Sequence, residues 1–165
     1  VQDVAETYFP GAQTAIFSHD GIIDKYMGDG ILAFFENDGD SITSATRAAD
    51  CALAMQAQAR KLNELYRSQN RSPFAMRVGL ATGYAKVGNI GPAEKIDYTV
   101  IGSVVNLASR LQGIGEPGDV IIDEDTYFFV KDHYLVTDLG PKDLKGFSKS
   151  IEVFSVTARE QTTAG

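Results

Sequence analysis

The chain has 165 residues, of which 44% are apolar and 22% are charged, and its formal net charge is −7. This composition is typical of one globular domain with room for a hydrophobic core. The negative charge argues against non-specific binding to nucleic acid or to an anionic membrane surface.

The first half of the chain predicts two helices separated by a hairpin. Apolar residues at helical spacing predict a helix over residues 2–18. Two short apolar runs, 22–26 and 31–35, flank a Gly-Asp-Gly turn at 28–30, and this pattern predicts a hairpin because Gly and Asp tolerate positive φ. The longest periodic segment, 41–68, predicts the second helix.

The second half predicts short strands that alternate with helices. Residues 74–84 predict a buried strand, and 85–91 continue as a second strand or as a glycine-broken loop. A strand over 98–101 then leads through a glycine into a helix over 103–111.

The C-terminal part predicts a strand over 120–122, a following helix capped by Asp123, and an edge hairpin formed by 134–139 and 151–156. With one further strand expected before the first helix, the order becomes βαββαβ plus C-terminal extensions. The sequence therefore predicts an α+β, ferredoxin-like palm with an antiparallel-rich sheet, whose first strand is missing from the chain.

The domain organisation is simple. Residues 1–157 are predicted to form one domain, and 158–165 a flexible tail. Because the chain starts at Val1 and not at a methionine, we expect it to be part of a longer polypeptide. No run approaches the roughly 18 apolar residues of a membrane span. The single cysteine, Cys51, has no disulfide partner, which favours a reducing, cytoplasmic setting.

An amide and a guanidinium stand close together on the helix predicted over 103–111. Asn106 and Arg110 are four residues apart, so both side chains project from one face. Such a pair is expensive to bury in a core, and Asn has a poor helix propensity. Aimed at negative charge that develops on a phosphate, the pair makes chemical sense, and we interpret both as candidate catalytic residues.

The predicted hairpin carries a second candidate pair, Lys25 and Asp29. A lone Asp in a turn is far more often structural than functional, and Lys25 could be a solvated strand residue. However, apolar strands on both sides present the Asp29 carboxylate rigidly. A magnesium ion held against nucleotide phosphates needs only one or two carboxylates, because the phosphates supply further oxygens.

Four segments together resemble the catalytic domain of class III nucleotidyl cyclases: DKYMGDGILAFF, MRVGLATGYAKVGNIG, DYTVIGSVVNLASRL and the late LKG. Each segment alone would be weak support, but the four occur in the order typical of the family. They span almost the whole chain.

The resemblance implies that Lys25 and Thr99 read the purine base. A lysine can donate a hydrogen bond to adenine N1, which is an acceptor, whereas guanine N1 and N2 are donors and would favour a carboxylate. The hydroxyl of Thr99 can accept from the adenine amino group. This pair resembles the Thr-bearing, bacterial-type subgroup of adenylyl cyclases. Thr99 is also an ordinary strand former.

The remaining roles implied by the resemblance concern the ribose, the phosphates and the metal. Asn106 matches the residue that positions the ribose, and Arg110 matches the one that stabilises the transition state. Arg77 and Lys145 match phosphate-contacting positions, although Arg77 could instead pair with an acidic residue. Asp29 matches the second of two metal-binding aspartates.

The first metal-binding aspartate of the family lies on a strand before the first helix, and that strand is absent from this chain. We expect the parent protein to carry it. The resemblance implies two Mg²⁺ or Mn²⁺ ions per site, which assist attack of the ribose 3′ hydroxyl on the α-phosphate of ATP and give cyclic AMP and pyrophosphate. It also implies a homodimer in which Lys25 and Asp29 of one chain serve different active sites.

The expected partners are therefore ATP, a second copy of the chain and an upstream regulatory domain in the parent protein, without nucleic acid or direct membrane contact. Two alternatives stay open. A guanylate cyclase is disfavoured by Lys25, and a catalytically silent dimerisation or regulatory module is disfavoured by the set Lys25, Asp29, Asn106 and Arg110.

Overall fold

The computed structural model describes residues 2–37, 39–90 and 97–160, and only the backbone at 2–8, 41, 88–90 and 97–101. The helices are α1 (Gln2–Ser18), α2 (Ser41–Ser68), α3 (Ser103–Ile114) and α4 (Glu124–Val130). The strands are β1 (Ile22–Met27), β2 (Gly30–Phe34), β3 (Val78–Leu80), β4 (Lys86–Ile90), β5 (Asp97–Ile101), β6 (Val120–Asp123), β7 (Tyr134–Lys142) and β8 (Ile151–Arg159).

Four strands form the central sheet, in the order β3-β6-β8-β7. β3 and β6 are parallel, whereas β6 with β8 and β7 with β8 are antiparallel. The strands β1 and β2 form a separate antiparallel hairpin, and so do β4 and β5. The order of the elements and the α+β class with antiparallel-rich pairing are confirmed.

The central strand β6 is buried on both faces of the sheet. Val120 and Ile122 point into a cluster with α2 and α4, whereas Ile121 between them belongs to a second cluster with Leu111 of α3. Successive side chains of a strand alternate between faces, so the sheet separates α2 and α4 from α3. A third cluster packs the β1–β2 hairpin against α1 and α2 through Ile16, Cys51 and their neighbours. None of the helices described is long and apolar enough to cross a membrane.

The predicted strand over 74–84 is wrong over most of its length, because only Val78–Leu80 is a strand. Side-chain amides bind the preceding backbone in place of a neighbouring strand. The amide of Asn63 both donates to the carbonyl of Phe74 and accepts from its N–H, at 3.1 and 3.0 Å. Gln56 Nε2 donates to the carbonyl of Met76 at 3.1 Å. Polar side chains on α2 therefore decide the start of this strand, and local periodicity cannot detect them.

Two other boundaries differ from the prediction. Helix α3 runs to Ile114, three residues beyond the expected end, and β8 runs to Arg159, into the segment predicted to be a tail. Residues 161–165 of that tail lie outside the described part of the chain. The domain boundary itself stays a prediction.

Asp123 caps α4 as predicted, and it does so while almost fully buried. Its Oδ1 accepts from the Thr126 N–H at 3.1 Å and from the Thr126 hydroxyl at 2.5 Å. Burial raises the pKa of the Asp123 carboxyl above its ordinary value of 3.8, and the Thr126 hydrogen bonds oppose that shift only in part. The protonated acid is therefore favoured more strongly in the folded state than in the unfolded chain.

We expect this burial to give the protein a measurable pH dependence of stability. A raised pKa contributes stability that is fully present below pH 3.8 and is lost as the pH rises through the folded-state value. Asp123→Ser keeps a capping oxygen but does not titrate. The difference in urea unfolding free energy between wild type and Asp123→Ser should therefore shrink as the pH rises from 4 to 7. The exposed Asp132→Ser serves as the control, and a widening difference would contradict the expectation.

Candidate active site

The β1–β2 hairpin presents Asp29 at its tip. The strand register closes at Met27 opposite Gly30, so Gly28 and Asp29 are the two turn residues. Gly28 has φ +60°, whereas Asp29 keeps a negative φ, which is the pattern of a type II′ turn with glycine at its first central position. The predicted hairpin is confirmed, with Gly30 in β2 and not in the turn. The Asp29 side chain is exposed to solvent.

Lys25 lies beside a buried carboxylate that the sequence reasoning missed. The register of the hairpin shifts between Ile23 and Lys25, which leaves Asp24 in a bulge. Lys25 Nζ lies 3.5 Å from Asp24 Oδ2, and the Asp24 side chain is fully buried whereas that of Lys25 is half exposed. Regular alternation places neighbouring side chains on opposite faces, so only the bulge allows this contact.

The two candidate catalytic residues of α3 are exposed, and the next residue after each faces the core. Leu111 is completely buried in the cluster on the α3 side of the sheet, and Leu107 packs against that cluster. Asn106 and Arg110 are each one position, about 100°, around the helix from this apolar pair. Their side chains therefore project together at one edge of α3, as the four-residue spacing predicts, and the core does not bury them.

The position of α3 is fixed by direct contact between its backbone and β3. A Cβ built at Gly79 would lie 2.3 Å from the Ala108 carbonyl oxygen and 2.4 Å from the Gln112 nitrogen. Only glycine permits this approach, because real Cβ atoms do not come so close to backbone atoms. Arg110 therefore sits on a helix whose distance from the sheet is set by backbone atoms.

The start of α3 rests on the loop that follows β3. Gly102, which precedes the helix, leaves only 3.2 Å between a built Cβ and the Ala85 Cα or the Tyr84 carbonyl oxygen. The same loop is tied to α4 by a hydrogen bond of 2.7 Å between the hydroxyls of Thr82 and Thr126. Asn106 lies four residues into the helix. The place of Asn106 relative to the sheet is therefore set by the loop after β3, which is itself tied to α4.

Arg77 and Lys145, the two predicted phosphate-binding residues, are both exposed. Arg77 directly precedes β3, and within the described part of the chain no carboxylate lies at ion-pair distance from it. Lys145 follows Leu144, which is buried in the same cluster as Leu111. The loop that carries Lys145 is therefore anchored on the side of the sheet on which α3 lies.

The structure does not unite all predicted site residues. Asp29 and Lys25 lie on a hairpin that packs against α1 and α2. Asn106 and Arg110 lie on α3, which covers the face of the central sheet opposite to α2. Strand β1 approaches β5, which carries Thr99 opposite Gly88. The side chain of Thr99 lies outside the described residues, so its base-reading role stays a prediction.

Of the residues that the sequence predicts to bind a metal ion, the chain carries one, Asp29. In the ranges 2–37, 39–90 and 97–160, no group of three or more His, Cys, Asp or Glu side chains is placed to hold a metal ion. The exposed carboxylate of Asp29, on a rigid turn, fits one ligand of a hard divalent cation. Asp29 can therefore contribute to a metal site, but further oxygen ligands must come from elsewhere.

The chain is similar in sequence and in fold to nucleotidyl cyclases. The family described as the adenylate and guanylate cyclase catalytic domain matches residues 18–158. Adenylate cyclase 1 of Rhizobium meliloti is 30% identical over 151 residues, which is 90% of this chain but only 23% of that relative. The chain thus spans about a quarter of the length of this curated relative.

Solved structures agree with the family match over nearly the whole chain. The adenylyl cyclase CyaB from P. aeruginosa has a TM-score of 0.90 at 32% identity, covering 99% of this chain and 85% of that one. The guanylyl cyclase Cya2 has a TM-score of 0.87 at 29% identity, covering 98% of this chain and 82% of that one. This chain belongs to the adenylate and guanylate cyclase catalytic domain family, that is, to the class III nucleotidyl cyclases.

Proposed function

We propose that this domain is an adenylate cyclase, which converts ATP to 3′,5′-cyclic AMP and pyrophosphate. The observation that carries the proposal is Lys25, a half-exposed ammonium beside the buried carboxylate of Asp24. An ammonium only donates hydrogen bonds, which suits the acceptor N1 of adenine and opposes the donor N1 of guanine. The names of Adenylate cyclase 1 and of CyaB support the same choice.

In the proposed reaction the ribose 3′ oxygen attacks the α-phosphorus, a new P–O bond forms, and the bond to the leaving pyrophosphate breaks. Arg110 offers its guanidinium to the charge that builds on the α-phosphate. Asn106, on the same edge of α3, holds the ribose so that attack is in line. Arg77 and Lys145 bind the outer phosphates. Their exposure leaves these four side chains accessible to a nucleotide.

A divalent cation fits the proposal as an ion that Asp29 and the substrate phosphates would hold together. When bound, it supplies positive charge against the phosphates. The chemistry of a carboxylate with phosphate oxygens suits Mg²⁺ or Mn²⁺, and the family resemblance implies two ions per site.

We further propose a homodimer with shared active sites. Asp29 lies on a hairpin that packs against α1 and α2, whereas Arg110 lies on α3, on the face of the central sheet opposite to α2, and this separation supports their use in different sites. A twofold axis pairs Asp29 of one protomer with Arg110 of the other, and it does so twice. An upstream regulatory domain in the parent protein and a cytoplasmic setting, in keeping with the free thiol of Cys51, belong to the same proposal.

Guanylate cyclase is the second candidate, because Cya2 resembles this chain almost as closely as CyaB does. Two variants separate the candidates. Lys25→Glu combined with Thr99→Ser should move the ratio of kcat/KM for ATP over GTP toward GTP by at least about tenfold, since a carboxylate accepts from guanine N1 and N2. Lys131→Glu makes the same charge change at the exposed residue that caps the C-terminus of α4, and it should leave the ratio unchanged.

The assay measures cyclic AMP and cyclic GMP formed with Mg²⁺ or Mn²⁺ by the longest polypeptide that contains this chain. Wild type is expected to prefer ATP. A preference of wild type for GTP would establish the second candidate. Absence of either product would favour a silent regulatory module and would overturn the proposal.

A further inference from the structure

One arginine on α2 ties together both ends of the β1–β2 hairpin. The half-buried Arg47 donates from Nη1 to the carbonyl oxygens of His19 and Asp20, at 3.5 and 3.0 Å. From Nη2 it donates to the carbonyl oxygen of Glu36 at 2.7 Å. His19 and Asp20 lie between α1 and β1, and Glu36 follows β2. A single guanidinium therefore holds the chain where it enters the hairpin and where it leaves.

Arg47 acts differently from the apolar packing that also holds the hairpin. In the described part of the chain β1 and β2 form their own two-stranded sheet and share no ladder with the central sheet. An apolar cluster that includes Ile23, Ile31 and Phe35 also packs the hairpin against the helices. Apolar packing is non-directional, whereas the planar fork of a guanidinium fixes the angle between its acceptors.

The entry to the hairpin also needs support. Asp20 has φ +60°, the left-handed conformation that non-glycine residues rarely adopt. Its carbonyl oxygen is one of the Arg47 acceptors. The neighbouring carbonyls end α1, where the helix dipole is negative, so the positive charge of the Arg47 guanidinium is electrostatically favoured at this point. Arg47 therefore stabilises the turn that sets the direction in which β1 departs.

We propose that Arg47 is a positioning residue for the reaction, acting through the hairpin that carries Lys25 and Asp29; this inference rests on the proposed function of those two residues. The six residues of β1 span about 20 Å, so a rotation of about 10° at the clamped base moves the tip by about 3.5 Å. A misplacement of even about 1 Å in a reacting group can lower the rate about 100-fold.

The test compares three variants of the complete protein that contains this chain. Arg47→Met removes the donors but keeps a long apolar stem. Arg47→Lys keeps the charge but cannot bridge both ends of the hairpin. Arg60→Met is the matched control, because Arg60 is an exposed arginine on the same helix. We measure kcat with saturating ATP, and amide hydrogen exchange over residues 22–34 and over α3.

For Arg47→Met we expect kcat to fall by at least about tenfold and exchange to accelerate in residues 22–34 but not in α3. Arg47→Lys should lie between Arg47→Met and wild type in both measurements, and it decides the matter if Arg47→Met does not fold. Arg60→Met should match wild type.

Two results would overturn the inference. Unchanged exchange in residues 22–34 would mean that Arg47 does not hold the hairpin. Faster exchange with unchanged kcat would mean that it holds the hairpin without positioning the site. If wild type makes no cyclic nucleotide, the proposed function fails, whereas the exchange measurement still reports on whether Arg47 holds the hairpin.

Discussion

Arg110→Ala is expected to lower kcat by about 10²–10³-fold, because one donor to the charge that develops on the transferring phosphate is lost. KM for ATP should change much less, since the interaction is strongest in the transition state. Arg110 is exposed and its neighbour Leu111 carries the packing of this turn. The free energy of unfolding should therefore change by less than about 0.5 kcal/mol.

The control for this substitution is Arg67→Ala, which also removes an exposed arginine from a helix. It should leave kcat unchanged. Cyclic AMP formation under single-turnover conditions separates the chemical step from product release. An Arg110→Ala protein that retains wild-type kcat would remove Arg110 from the mechanism and would leave the exposed pair on α3 without a function.

Mixing two inactive variants is expected to restore activity. In the proposed homodimer, Asp29→Asn would disable the metal-binding half of a shared site, and Arg110→Ala would disable the half on α3. If protomers exchange freely in an equimolar mixture, half of the dimers are mixed, and each mixed dimer has one intact site of two. The mixture should then reach about one quarter of wild-type activity, although each variant alone is nearly inactive.

This result depends on how Asp29 and Arg110 are distributed between protomers. If both residues served the same site within one protomer, every dimer would lack one of them at each site and the mixture would stay inactive. The matched control combines Asn106→Ala with Arg110→Ala. These residues share one edge of α3, so every α3 in that mixture lacks one of the two side chains. No dimer then contains an intact site, and no recovery is expected.

Sequence alone predicted where the side chains of Asn106 and Arg110 lie on α3, for a physical reason, whereas their roles in the reaction stay predictions. The spacing of Asn106 and Arg110 fixes their common edge as soon as the segment is helical, and Leu107 with Leu111 fixes which edge is buried. The turn at Asp29 was equally predictable, because the requirement for positive φ falls on Gly28.

What could not be predicted depends on contacts between segments far apart in sequence. The bulge that brings Asp24 beside Lys25 breaks the alternation on which strand prediction rests. The sequence does not distinguish Arg47 from the other cations of a long helix, because its hydrogen-bond acceptors lie 11 to 28 residues away. The strand predicted from residue 74 begins only at Val78 for the same reason, since side-chain amides on α2 form hydrogen bonds with the backbone before Val78.

The contact between Gly79 and α3 has a consequence for how such an enzyme can be controlled. At Gly79 the backbone of α3 meets the backbone of β3 with no side chain between them, so α3 has little room to tilt toward β3. A signal that adjusts the rate therefore has little scope to act by bending one protomer internally. In the proposed homodimer, the orientation of one protomer relative to the other is easier to change. The rate of turnover would then depend on the angle between the two protomers.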